Sequence, residues 1–101
     1  DAVSVLRWLL EATGINGIFN VGTGKAESFR DMIGAMFKAV GKPANIEYVD
    51  MPPAIRGQYQ YFTEARIERL RRAGYNAGFT PLEAAVGQYV TGYLDRDDRY
   101  R

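Results

Sequence analysis

The stretch Ile18–Phe29, IFNVGTGKAESF, constrains this chain more than any other. A short strand-like run enters a Gly-Thr-Gly turn and then a helix start, so the backbone must turn at residues that tolerate φ > 0. The same order, strand then glycine turn then helix, is where many proteins hold phosphate on backbone N–H groups. A P-loop needs G-x-x-x-x-G-K-[ST]. Here Phe19 stands at the place of the first glycine, and Ala26 follows Gly24-Lys25. A dinucleotide fingerprint of the form G-x-G-x-x-G fails at Glu27, and no acidic residue with a clear ribose role follows it. The turn is read as a connector that positions Ser28 and the helix behind it.

The flanking residues extend that reading in both directions. Residues 2–13 read as a helix with one narrow polar stripe, Ser4, Arg7 and Glu11, and apolar side chains around most of its remaining circumference. Such a helix has neighbours on several sides, which in a short chain points to a partner surface outside it. Ile18–Val21 reads as a short buried strand. Ser28 with Asp31 forms a capping-box variant, and the following helix sets Phe29, Met32, Ile33, Met36, Phe37 and Val40 on one core face before Gly41 and Pro43 end it. Ile46–Met51 reads as a second strand, and residues 54–62 as a loop. Thr63 caps a helix that carries Ile67 and Leu70 inward and ends at Gly74. Thr80-Pro81-Leu82-Glu83 is a strong helix start, and the tail from Asp95 to Arg101 is of mixed charge and expected to fray.

Composition narrows the chemistry. The 101 residues carry a net charge of +1, which selects no partner, and contain neither histidine nor cysteine. The commonest metal ligand, the commonest neutral-pH base and thiolate chemistry are therefore missing. No signal peptide or membrane-length apolar run is present. No tyrosine is followed four residues later by lysine, and no carboxylates are paired by spacing. The chain alone is expected to catalyse nothing. Because it opens on Asp1, it is read as a piece of something longer.

Two clusters remain. Arg66, Arg69, Arg71 and Arg72 interleave with Glu64 and Glu68. A solvated helix face with ion pairs explains them, with nucleic-acid binding as the alternative. Tyr59, Tyr61 and Phe62 lie beside Arg56 and Gln58, a set that suits a phosphorylated sugar or a stacked base and equally suits a loop plugged onto a core. The residues leave both readings open.

The order of segments resembles the C-terminal part of the extended short-chain dehydrogenase/reductases, the nucleotide-sugar epimerases and dehydratases. The matching segments are Asp1–Ala12, Phe19–Gly24, Ser28–Val40, Ile46–Val49, Arg56–Gly57, Thr63–Tyr75 and Pro81–Leu94, which together run through nearly the whole chain. IFNVGTGKAESF, GQYQYFTEA and LRRAGY are similar to the branch of that family acting on ADP-heptose. A departure falls at Ile55-Arg56-Gly57-Gln58, where better-known members carry a more lysine-rich Lys-Gly-Arg segment.

The resemblance implies a mixed α/β fold, a small substrate-binding domain over residues 1–101 with about four helices and two or three short strands. It implies an N-terminal Rossmann domain outside these residues that holds NADP, or NAD, and carries a Tyr-x-x-x-Lys pair. It further implies an epimerase that oxidises its sugar transiently and returns the hydride to the opposite face. Tyr59 occupies the position whose tyrosine contacts the nucleotide-sugar, with Arg56 a second substrate-binding residue. Implied partners are the nucleotide-sugar, the chain's own Rossmann domain and further copies of the whole protein in the cytoplasm, with no nucleic acid, membrane or metal. Another nucleotide-sugar epimerase or dehydratase is the near alternative, and a free-standing RNA- or protein-binding module the distant one.

Overall fold

The computed structural model describes residues 1–96, so part of the tail expected to fray lies outside the described residues. The helices are α1 (Ala2–Glu11), α2 (Phe29–Ala39), α3 (Pro53–Arg56), α4 (Glu68–Arg72) and α5 (Leu82–Tyr89), which continues into a π-helical turn at Val90–Leu94. The wider spacing of that turn is marked by Asp95 N–H donating to the Val90 carbonyl at 2.9 Å.

The expected mixed α/β fold with two or three strands does not form. Among the described residues all regular structure is helical, and both strand-like runs are irregular. A strand exists only with a hydrogen-bonded partner. Ile18–Val21 and Ile46–Met51 fall in separate compact units, and neither finds one. Ile18, expected to be buried, is 84% exposed, and Tyr48 and Val49 are also exposed.

One unit comprises Asp1–Ala26 and Thr63–Thr80. Its core is Val5, Leu70 and Tyr75, with Trp8, Leu9, Phe19 and Phe79 packed around them. Trp8 meets the Tyr75 ring edge-on at 5.5 Å, and Phe79 lies 5.9 Å from Tyr75 on another side. Arg71 closes the loop after α4. Its guanidinium donates to the carbonyls of Tyr75 and Ala77 and lies over the rings of Tyr75 and Phe79. Helix α1 buries only Val5 completely and leaves Val3, Leu6 and Leu10 exposed, an apolar stripe at helical spacing.

The two stretches of this unit are joined at both ends. Asp1 accepts from the Thr80 amide at 2.9 Å and from its hydroxyl at 2.8 Å. Ala26 N–H donates to the Glu64 carboxylate at 3.2 Å. These bonds explain two shifted helix starts. Thr80, expected to cap α5, gives its hydroxyl to Asp1, and α5 begins after Pro81 with no side-chain cap. The helix expected from Thr63 begins only at Glu68, because Glu64, Ala65 and Ile67 lie along the glycine turn instead.

The other unit comprises Glu27–Phe62 and the chain from Pro81 onward. Ser28 caps α2 as its spacing predicts. Its hydroxyl accepts from Asp31 N–H at 3.0 Å, while Asp31 accepts from Ser28 N–H at 3.3 Å. Helix α2 packs on α5 and the π-helical turn, with Ala35 and Val90 buried and Lys38 paired to Glu83 across the two helices. The six-residue stripe expected in the core is only partly covered. Ile33, Met36, Phe37 and Val40, with Val90 and Leu94, line an open apolar cavity of about 410 Å³ that has Asp95 at its polar side. Residues 54–56, expected as loop, belong to the single helical turn α3, begun by Pro53, whose missing N–H costs nothing at that position.

Candidate functional site

The glycine turn can be tested directly as a phosphate cradle. Thr23 Oγ1 accepts from Lys25 N–H at 3.2 Å and donates to the Lys25 carbonyl at 3.1 Å, while Ala26 N–H is taken by the Glu64 carboxylate. The Lys25 and Ala26 amides are therefore engaged, the second by an anion. The glycines serve close packing. A Cβ at Gly22 would lie 2.7 Å from Ala65 Cβ, and one at Gly24 would lie 2.9 Å from Ile67 Cδ1. Gly24 also sits at φ +73. In this structure the turn brings the chain into close contact with Ala65 and Ile67.

The four-arginine cluster is also partly occupied within its own unit. Arg69 lies over the Phe19 ring at 5.5 Å, and Arg71 is held by two carbonyls and two rings. Among the described residues no cluster of carboxylates could hold a metal ion, and no helix is long and apolar enough to cross a membrane.

Tyr59 and Arg56 lie in the other unit, on one short segment. Arg56 ends α3 and donates to the Met51 carbonyl at 3.2 Å, which ties the segment back to the chain entering the helix. Gln58 N–H donates to the Ile55 carbonyl at 3.1 Å and turns the chain toward Tyr59. The Tyr59 ring sits between two others. Phe29 lies 6.4 Å away at 47°, and Tyr61 lies 5.8 Å away, edge-on at 71°. Tyr59 remains 37% exposed, whereas Tyr61, Phe62 and Arg56 are largely open. The segment thus carries a half-exposed phenol, a guanidinium and two further exposed aromatic rings. Those groups suit a ligand carrying both phosphate and a flat or sugar ring. They supply no nucleophile with an adjacent base.

The chain is 49% identical over 100 residues to a protein of Nitratidesulfovibrio vulgaris strain DP4 named ADP-L-glycero-D-manno-heptose-6-epimerase, covering 99% of this chain. The like-named protein of strain Hildenborough is 50% identical over 98 residues, and that of Fusobacterium nucleatum 39% over 106 residues. This chain is a homologue of the ADP-L-glycero-D-manno-heptose-6-epimerases. It spans 31%, 30% and 32% of those three relatives, about a third of their length. No protein-family model matches it.

The aromatic segment also includes a residue that its periodicity assigned elsewhere. Phe29 counts by periodicity as the first member of the α2 core stripe, yet it is 65% exposed and meets Tyr59. The available signal was its place directly after the Ser28 cap, at the very end of the stripe.

Proposed function

We propose that this chain is the substrate-binding portion of an extended short-chain dehydrogenase/reductase. In this reading the whole enzyme interconverts ADP-D-glycero-D-manno-heptose and ADP-L-glycero-D-manno-heptose for the lipopolysaccharide core. The observation that carries the proposal is 49% and 50% identity, over 99% and 97% of the chain, to proteins named for that epimerisation. The cofactor, NADP or NAD, and the catalytic residues belong to an N-terminal Rossmann domain beyond this stretch, and the stretch alone turns nothing over. The engaged Lys25 and Ala26 amides, just after the Gly22–Gly24 turn, support that division. The exposed Val3, Leu6 and Leu10 face is where the N-terminal domain packs, and the complete enzyme is a cytoplasmic homo-oligomer.

Within this reading Tyr59 gives its hydroxyl to the diphosphate of the nucleotide-sugar, and Arg56 supplies positive charge beside it. Their contribution is remote binding energy that orients the sugar for chemistry elsewhere. The test is the complete protein with ADP-D-glycero-D-manno-heptose and each nicotinamide cofactor, followed by NMR of the heptose. Equilibration of the two epimers is expected. Failure to convert it, while another nucleotide-sugar is converted, would overturn the assignment. Tyr59→Phe should raise KM about fivefold, equivalent to the ~1 kcal/mol of one hydrogen bond. Unchanged KM and kcat would remove Tyr59 from the site.

A further inference from the structure

We infer that Phe29 is a positioning residue for Tyr59, fixing the ring that meets the nucleotide-sugar from the capped end of α2. The inference rests on the reading that Tyr59 contacts substrate, and it concerns how that contact is made.

Tyr59 itself has little local support. It stands in an irregular segment between α3 and α4, beyond the turn at Gly57-Gln58. A side chain on such a segment wanders unless something rigid holds it, and a binding group misplaced by an ångström loses much of its effect. The rigid element within reach is α2. Its first turn is locked by the reciprocal Ser28–Asp31 cap, with an additional Ser28 hydroxyl contact to the Asp31 carboxylate at 2.7 Å. Phe29 is the first helical residue after that cap, so the reciprocal bonds of Ser28 and Asp31 fix the turn that carries it.

The exposure of Phe29 supports the same assignment. A phenylalanine that is 65% exposed adds little to a core, yet its ring lies 6.4 Å from Tyr59 at a tilt within the range of favourable aromatic pairs. Tyr61 meets Tyr59 at 5.8 Å, so the Tyr59 ring has one neighbour from its own segment and one from the helix. Tyr61 moves with the segment and cannot anchor it. Phe29 can.

The experiment is a double-mutant cycle in the complete protein, with KM and kcat measured on the ADP-heptose substrate. Phe29→Leu keeps apolar bulk and removes the ring. It should raise KM about threefold with kcat nearly unchanged, the scale of an aromatic pair lost from ground-state and transition-state binding alike. Phe29→Tyr should restore KM. In a Tyr59→Phe background, which keeps the ring but lacks the hydroxyl, Phe29→Leu should add nothing further. If Phe29→Leu leaves KM unchanged while Tyr59→Phe raises it, or if the two effects multiply in the double variant, the positioning role is wrong and the Tyr59 contact stands. If Tyr59→Phe leaves KM unchanged, the contact itself is wrong and the inference falls with it. Phe29→Met provides the same ring removal should the leucine variant fold poorly.

Discussion

Gly24→Ala distinguishes a turn built for packing from one built for a ligand. Gly24 sits at φ +73, in the left-handed region, where an alanine costs about 1–2 kcal/mol. Its new methyl would lie 2.9 Å from Ile67 Cδ1 and 3.1 Å from Cγ1. The nearer atom is the far end of a flexible side chain, so relief by a small shift adds about 1 kcal/mol, the low end of overpacking costs. The sum is about 2–3 kcal/mol against the close approach of the turn to Ala65–Ile67. Gly34 is the internal control. It lies inside α2 with nothing within 4 Å of an added Cβ, so Gly34→Ala should stabilise the helix by about 1 kcal/mol.

Hydrogen exchange on the complete protein reads both effects locally. Amides of Lys25, Ala26 and the Glu64–Ile67 stretch should exchange about 30- to 150-fold faster in Gly24→Ala, and those of α2 about fivefold slower in Gly34→Ala. The same substitution at two glycines thus gives opposite signs. Unchanged protection around Lys25 in Gly24→Ala would refute the packing account, as would destabilisation of α2 by Gly34→Ala.

Two further perturbations probe each unit separately. Leu70 is fully buried in the first unit, so Leu70→Ala should cost about 2–5 kcal/mol and lower the urea midpoint for loss of protection in α1 and α4 together. Ser28→Ala removes the α2 cap and should cost about 1 kcal/mol, seen as faster exchange in the first turn of that helix with the first unit unaffected.

What the sequence made legible was local. The Ser28–Asp31 cap and the helix after it are written within a few residues, and they form as read. Helix α1 and its excess of apolar surface are equally visible in the pattern of Ser4, Arg7 and Glu11. The failures share a cause at longer range. Ile18–Val21 and Ile46–Met51 have strand-like composition, but composition cannot supply a hydrogen-bonding partner. Thr63 and Thr80 both look like caps. Glu64, just after Thr63, is drawn to the amide of Ala26, and Thr80 to the carboxylate of Asp1, contacts that no window around either threonine contains. The candidate site was read in a different way. Tyr59 and Arg56 were placed by resemblance, since their chemistry alone left two readings open. Phe29 was hidden because helical periodicity marks a face without saying how far along the helix that face stays covered.

The two ties that close the first unit, Asp1 to Thr80 and Ala26 to Glu64, carry a consequence for how this region can change over time. The second of them makes the stretch from Glu27 to Phe62 an excursion that leaves one folded body and re-enters it at a fixed point. Closing an excursion of that length costs about 3 kcal/mol of chain entropy, but halving it would recover only about 0.6 kcal/mol. Residues can therefore be inserted into or deleted from its irregular stretches, outside the packed helix α2, at little thermodynamic cost while its two ends stay fastened. The first unit tolerates drift in the length of the irregular chain between α2 and α3 more readily than loss of the carboxylates at Asp1 and Glu64.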